Sequence, residues 1–287
     1  MRDELKHAGK ITKAKMFSRL ADAMPRRKHP VFDYVVVDEA QDIGVQQLRF
    51  LASIAAHRAN ALFFAGDLGQ RIFQQPFSWK SLGVDVRGRS RSLTINYRTS
   101  HQIRSQADRL LGPEVSDVDG NVETRKGTIS VFNGPDPVIR SFVTPEQESQ
   151  AVGQWLRHCR DNGVLPHEIG VFVRSEAELP RAQAAVQAAG LQGRVLGKDM
   201  ATEEGFVSLM TMHLAKGMEF RVVAVMACDD EIIPSQSRID SAADEVDLSE
   251  IYDTERHLLY VACTRARDQL HISAVSPASE FLGDLQG

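Results

Sequence analysis

Cysteine is scarce in this chain. Its three residues, Cys159, Cys228 and Cys263, show no Cys-x-x-Cys spacing, and each falls in an apolar helix or strand context. They read as reduced, buried small hydrophobes rather than as a disulfide framework. Long apolar runs are lacking too: the longest, Val222–Cys228, is far too short to span a bilayer. With no signal peptide ahead of it, the chain is expected to be cytoplasmic, with no membrane partner. There is no fixed-period repeat and no low-complexity tract. Nor is there an excess of basic charge, since 34 Lys/Arg against 38 Asp/Glu give a net charge of −4, so composition by itself does not advertise nucleic acid. The charge is unevenly spread: residues 1–30 carry nine basic and three acidic side chains, while residues 229–256 carry ten acids and two arginines. Such runs could touch phosphates or simply form solvated faces.

What is present is ordinary in bulk and specific in detail. An apolar content of 43%, a charged content of 25% and 287 residues suit a soluble protein with two domains. Tyr34-Val35-Val36-Val37 runs into Asp38-Glu39-Ala40-Gln41-Asp42. A short apolar run ending in acids reads as a buried parallel strand opening into a ligand crevice. Asp38 at the strand tip is where a Walker-B aspartate holds Mg²⁺ on a nucleoside triphosphate, and Glu39 is placed to orient or deprotonate water. Helical spacing over 44–57 and a second buried strand over 61–65, ending in Gly66-Asp67, complete a βαβ unit with a right-handed crossover.

Gln70 on the following glycine-flanked loop could sense a terminal phosphate. Phe73, Phe77 and Trp79 either offer faces for bases to stack on or form a satellite core beneath the loop. A strand over 93–96 leads into Tyr97-Arg98-Thr99-Ser100, with Thr99 or Ser100 capping a helix to about Leu111 and Arg98 projecting from the turn. Gly112–Asn121 reads as a linker. Beyond it the pattern predicts strands over 128–132, 169–173, 206–211, 222–227 and 269–273, with helices over 145–162, 176–189 and from about Thr254. The fold class is therefore α/β, with domains at 1–112 and 113–287. Thr211–Phe220 places His213, Lys216 and Glu219 on a turn between buried strands, and Arg265 ends a helix, where it could simply offset the helix dipole.

The ordered series Val-Val-Asp-Glu-Ala-Gln-Asp, Gly-Asp-x-x-Gln-x-Ile-Phe, Asn-Tyr-Arg-Thr-Ser, Thr-Met-His-x-Ala-Lys-Gly-Met-Glu-Phe and Tyr-Val-Ala-x-Thr-Arg-Ala resembles UvrD/Rep-type superfamily 1 helicases. It matches their motifs II to VI in order, from about Phe32 to His271. The resemblance implies two RecA-like parallel-sheet domains that use ATP and Mg²⁺ to move 3′→5′ on single-stranded DNA. By this likeness Asp38 binds the metal, Glu39 activates water, and Gln70, Arg98 and Arg265 meet the γ-phosphate. Arg98 would come from the first domain and Arg265 from the second. Tyr97, Gly217 and Glu219 would bind nucleotide, while Phe73, Trp79 and His213 would touch DNA.

Departures are visible. The third motif lacks its usual Tyr-Gly-Trp continuation, reading Phe73-Gln74-Gln75 with Trp79 displaced, and the arginine pair of the sixth is reduced to Arg256-His257. The short span from Asn96 to Thr211 implies that the accessory 2B insertion is absent or vestigial. No Gly-x-x-x-x-Gly-Lys-Ser/Thr occurs; Gly9-Lys10-Ile11-Thr12 lacks the upstream glycine and the hydroxyl after lysine. The expectation is a C-terminal motor portion, its first domain incomplete at the N-terminus, needing the Walker A portion as partner and weakly active or inactive alone. Two other readings are a non-enzymatic remnant that binds nucleic acid or a protein, and a two-metal nuclease using Asp38, Glu39, Asp42 and Asp67.

Overall fold

In the computed structural model, residues 7, 9–26, 29–55, 58, 60–67, 77–86, 88–111, 114–116, 122–124, 127–197 and 201–286 are described. Thr12 caps helix α1 (Lys13–Ala23), its hydroxyl accepting the Lys15 N–H at 3.2 Å. Strand β1 (Val35–Val37), helix α2 (Val45–Ile54) and strand β2 (Leu62–Phe64) form the anticipated βαβ unit. β1 and β2 are parallel, with Val36 opposite Phe63. Side chains alternate across a strand, and here one face is used: Val37, Leu62 and Phe64 pack with Leu48, Ile43 and Val84. On the other face Val36 and Phe63 are 73% and 62% exposed.

The chain divides into two compact units, the first Met1–Ser92 with Val115–Glu123, the second Leu93–Glu114 with Thr124–Gly287. Residues 93–112, grouped with the first domain on sequence grounds, thus fall wholly in the second unit. The reason is strand pairing across the chain. β3 (Ile95–Asn96) precedes α3 (His101–Asp108), then come β4 (Glu114–Ser116), β5 (Val122–Thr124) and β6 (Ile129–Ser130). β4 pairs with β5, so the expected linker contains a strand. β3 runs parallel to β6, with Ile95 opposite Ile129, and the Ser100 N–H donates to the Arg267 carbonyl at 3.0 Å.

The second unit is built on β7 (Val138–Phe142), α4 (Pro145–Asp161), β8 (Ile169–Val173), α5 (Leu179–Ala188), β9 (Gln192–Val195), β10 (Phe206–Thr211), β11 (Phe220–Val225), α6 (Gln236–Ile239), α7 (Glu245–Cys263), β12 (Ala266–Val275) and α8 (Glu280–Gln286). Six strands lie in the order β7-β12-β11-β8-β10-β9, every pair parallel. All-parallel sheets need cover on both faces. Val171, Val173, Leu209, Val222 and Ala224 pack beneath Val152 and Leu156 of α4 and Ala182 and Val186 of α5. Phe172, Met210, Val223 and Val225, alternating with them, are just as buried, and α7 packs on β11 and β12.

Near the carboxyl ends of these strands sits a buried polar knot. Glu148 accepts from the Ser273 hydroxyl at 2.7 Å and the Ala227 N–H at 3.0 Å, and pairs with Arg181, which also holds Asp229 at 2.6 Å. Every charge in the knot has an opposite partner, as burial requires.

Candidate functional site

Asp38 and Glu39 leave the tip of β1 exposed to solvent. Asp38 Oδ1 accepts the Glu39 N–H at 2.9 Å, and Glu39 takes up a left-handed backbone with φ of 53°. A non-glycine residue there is uncommon and costs free energy, and such strain clusters at functional sites. Gln41, read in sequence only as an amide between acids, organises the tip. Its Nε2 donates to Glu39 Oε2 at 2.6 Å, while its Oε1 accepts the Asp67 N–H at 3.1 Å, tying both strand tips together. Gly66 makes the room: a Cβ there would stand 2.4 Å from Gln41 Oε1. The sequence offered only an amide and, after the next strand, a glycine-acid pair; the burial of Gln41 and its bridge to Asp67 belong to the fold.

An exposed carboxylate at a strand tip suits Mg²⁺, which keeps waters and takes one or two carboxylates plus substrate phosphates. Asp38 could hold such an ion. The two-metal nuclease reading finds less support. Among the described residues, which include Asp38, Glu39, Asp42 and Asp67, no group of three or more His, Cys, Asp or Glu converges on a metal position. Gln70 and Phe73 lie outside the described residues. Trp79 is half-buried, its ring 4.7 Å edge-on from Phe64 and 6.5 Å from a near-parallel Phe77. Phe77 and Trp79 thus pack onto the small cluster around Leu48 and Phe64 as a satellite core.

The second unit gathers its polar residues at two opposite ends of one sheet. At the amino end of β11 and β12 stand Arg98, Glu219 and Arg265. Asn96 shapes the turn before α3, its Oδ1 accepting the Arg98 N–H at 2.9 Å. Tyr97 is 71% exposed. Arg98 Nε meets Glu219 Oε2 at 3.1 Å, both side chains about half exposed. Gly217, with φ of 80°, supplies the positive angle of the turn closed by Met218 N–H and Ala215 O at 3.1 Å. Arg265 is only 1% exposed: its Nε donates to Val261 O at 3.1 Å and its Nη1 to Met218 O at 3.3 Å. The two arginines expected from different domains therefore belong to one unit and flank the same Met218-Glu219 pair. Pairing of β3 with β6, invisible in any local pattern, brings them there.

At the carboxyl end of β10, His213 sits on the short turn Met212–Leu214. Burial lowers its pKa, and the positive charge of Arg174, which follows β8, lowers it further. A neutral imidazole still has one N–H to donate to a backbone phosphate oxygen, without carrying a fixed charge. Arg174 is itself neutralised, forked onto Glu255 at 2.6 Å through both Nε and Nη2, and Arg238 reaches the same carboxylate at 2.8 Å. None of these three partners stood out in the sequence: Arg174 and Glu255 are 81 residues apart, and Arg238 meets Glu255 from the preceding helix.

Two family models match the chain: the UvrD/REP helicase N-terminal domain over residues 10–78 and the UvrD-like helicase C-terminal domain over residues 196–277. The ATP-dependent DNA helicase UvrD1 of Mycobacterium tuberculosis is 38% identical over 161 residues, covering 52% of this chain and 17% of that protein. A probable DNA helicase of Mycoplasma pneumoniae is 26% identical over 255 residues, covering 86% of this chain and 44% of the relative. The chain thus spans less than half the length of these curated relatives. Among solved structures, the C-terminal domain of a possible DNA helicase from Lactobacillus plantarum WCFS1 aligns with a TM-score of 0.45 and 22% identity, over 66% of this chain and 94% of that one.

Proposed function

Because the chain belongs to the UvrD/Rep-type helicases, we propose that it is the C-terminal motor portion of an ATP-dependent DNA helicase moving 3′→5′ on single-stranded DNA. It contributes the rear of the first motor domain and the whole of the second. Asp38 would hold Mg²⁺ on bound ATP, and the ion would supply charge to offset the phosphates. Glu39, steadied by Gln41, orients the attacking water. By the likeness, Tyr97 stacks on the nucleotide base, Gly217 belongs to the nucleotide-binding set, and Glu219 approaches the ribose or the γ-phosphate. Gln70 and Phe73 keep the phosphate-sensing and stacking roles that the likeness implies, and His213 meets the DNA backbone. The partner is a segment carrying a Walker A loop, which this sequence does not contain.

The observation that carries the proposal is the placement of Arg98 and Arg265 about Met218-Glu219 at the amino edge of the sheet. Open α/β sheets bind their own ligands at the carboxyl edge. Arginines at the opposite edge, in a unit without a phosphate loop, fit a nucleotide held elsewhere. The Arg98–Glu219 pair is exposed and hence weak, so Arg98 can exchange its carboxylate for a phosphate at little cost. Arg265 must first leave the Val261 and Met218 carbonyls, and that burial is what favours a non-enzymatic remnant as the second reading.

The test combines this chain with a Walker A-bearing segment and measures ATP hydrolysis with and without oligo(dT). The chain alone should hydrolyse poorly, and the mixture should gain DNA-stimulated turnover. Arg265→Ala should then lower turnover by about 10³–10⁵-fold with a smaller change in nucleotide affinity. Lysine should not rescue it, lacking the planar fork. Turnover by the chain alone, or an indifferent Arg265→Ala, would overturn the motor assignment; DNA or protein binding indifferent to ATP would establish the remnant.

A further inference from the structure

The loop from His213 to Phe220 is anchored at both ends to a single helix. At its start, the turn Met212–Leu214 packs against α7, and the charges that bear on His213 are those of Arg174, Glu255 and Arg238. At its end, Met218 O accepts from Arg265 Nη1 and the Phe220 N–H donates to Arg265 O at 2.9 Å. Arg265 is in turn fastened to the last turn of α7 through Val261 O. Glu255 and Val261 are six residues apart on one helix, or about 9 Å along its axis.

Glu255 is the fixed point of this arrangement. Its carboxylate is fully buried and carries two arginines from two other elements, Arg174 beyond β8 and Arg238 on α6. A buried carboxylate needs one cation for neutrality, and the second adds a further anchor without being required for burial. The forked Arg174 contact also defines orientation, because both oxygens are engaged. The pairs thereby fix how α7 seats against the carboxyl end of the sheet, while its far end bears Arg265.

We propose that α7 is a strut coupling nucleic-acid contact at His213 to the setting of Arg265, and that Glu255 is its positioning residue. This rests on the reading of His213 as a DNA contact. A displacement of the Met212–Leu214 turn then moves α7 as a body, and Arg265 moves with it. By reciprocity, whatever draws Arg265 out of its carbonyl cradle alters affinity at His213. The claim requires demonstrated coupling, not mere spatial continuity.

The measurement is residue-resolved amide hydrogen exchange on the full chain, free and saturated with oligo(dT). In the wild type, oligo(dT) should change exchange at the Phe220 and Thr264 amides by about fivefold or more. Glu255→Gln, of nearly equal shape, should still bind oligo(dT) and keep its helical circular dichroism while losing that response. Val152→Ala, a buried change that removes packing in α4, should retain it. Should Glu255→Gln fail to fold, Arg238→Gln replaces it: this side chain is partly exposed, and its loss should diminish the response. Oligo(dT) binding without a change at Phe220 in the wild type overturns the coupling. An undiminished response in Glu255→Gln, or in Arg238→Gln where it stands in, overturns the role of Glu255. No oligo(dT) binding by the wild type overturns the underlying DNA contact, and the strut with it.

Discussion

His271 is 2% exposed on β12, its ring 5.1 Å from that of Trp155, and its Nδ1 has no hydrogen-bond partner among the described residues. Burial, with a smaller contribution from the charge of Arg140, lowers its pKa from 6.5 to about 4. Between those values the unfolded chain binds a proton that the folded chain refuses. The stabilisation is therefore whole above about pH 6.5 and lost as pH falls towards 4, by roughly 3 kcal/mol. His271→Phe should flatten that part of the profile, as read by urea midpoints at pH 4.5 and 7. Nothing in the sequence announced this histidine, since a titratable ring in a strand looks the same whether it faces water or core. Glu39 and Gln41 show the converse. Their acid-amide pattern pointed to a site from sequence, yet the left-handed backbone and the bridge to Asp67 appear only once the second strand is in register.

Among the elements, legibility followed burial. The strands over 169–173 and 206–211 match β8 and β10 residue for residue. They lie inside the sheet, where both faces demand apolar side chains and the run is continuous. β7 and β9 escaped notice, and they are the two outer strands. Val-Ile-Arg-Ser-Phe and Gln-Gly-Arg-Val mix polar residues into positions that an edge can leave wet. Helix α7 begins at Glu245 rather than near Thr254. The acids that read as a charge run are its first turn: Asp244 accepts the Asp247 N–H at 2.9 Å, and Glu245 and Asp247 face the positive end of the dipole. Asp244→Ala should cost about 1 kcal/mol, seen in the thermal midpoint, with faster amide exchange confined to the first turn. Loss of protection reaching Glu255 would mean that the cap holds more than its own end.

For the molecule as a whole, the division into two units is the part that local pattern served least. Short-range signals placed the Asn96–Ser100 turn with the residues before it, whereas its hydrogen bonds run to Ser130, Thr264 and Arg267. Within the first unit, the uncovered side of β1 and β2 has a further consequence, for how the protein behaves in a test tube. Phe32, Tyr34, Val36 and Phe63 are 53%, 64%, 73% and 62% exposed, and of these Tyr34 has the Arg58 guanidinium 4.0 Å over its ring. Among the described residues no third strand pairs with either of them. Open strand borders next to a greasy stripe make purified material sticky. Light scattering should show association that grows with concentration and is little relieved by salt. Phe63→Lys, opposite Val36 in the ladder, should keep the sample monodisperse without shifting the melting of the six-stranded unit; persistent association would place the adhesive surface elsewhere.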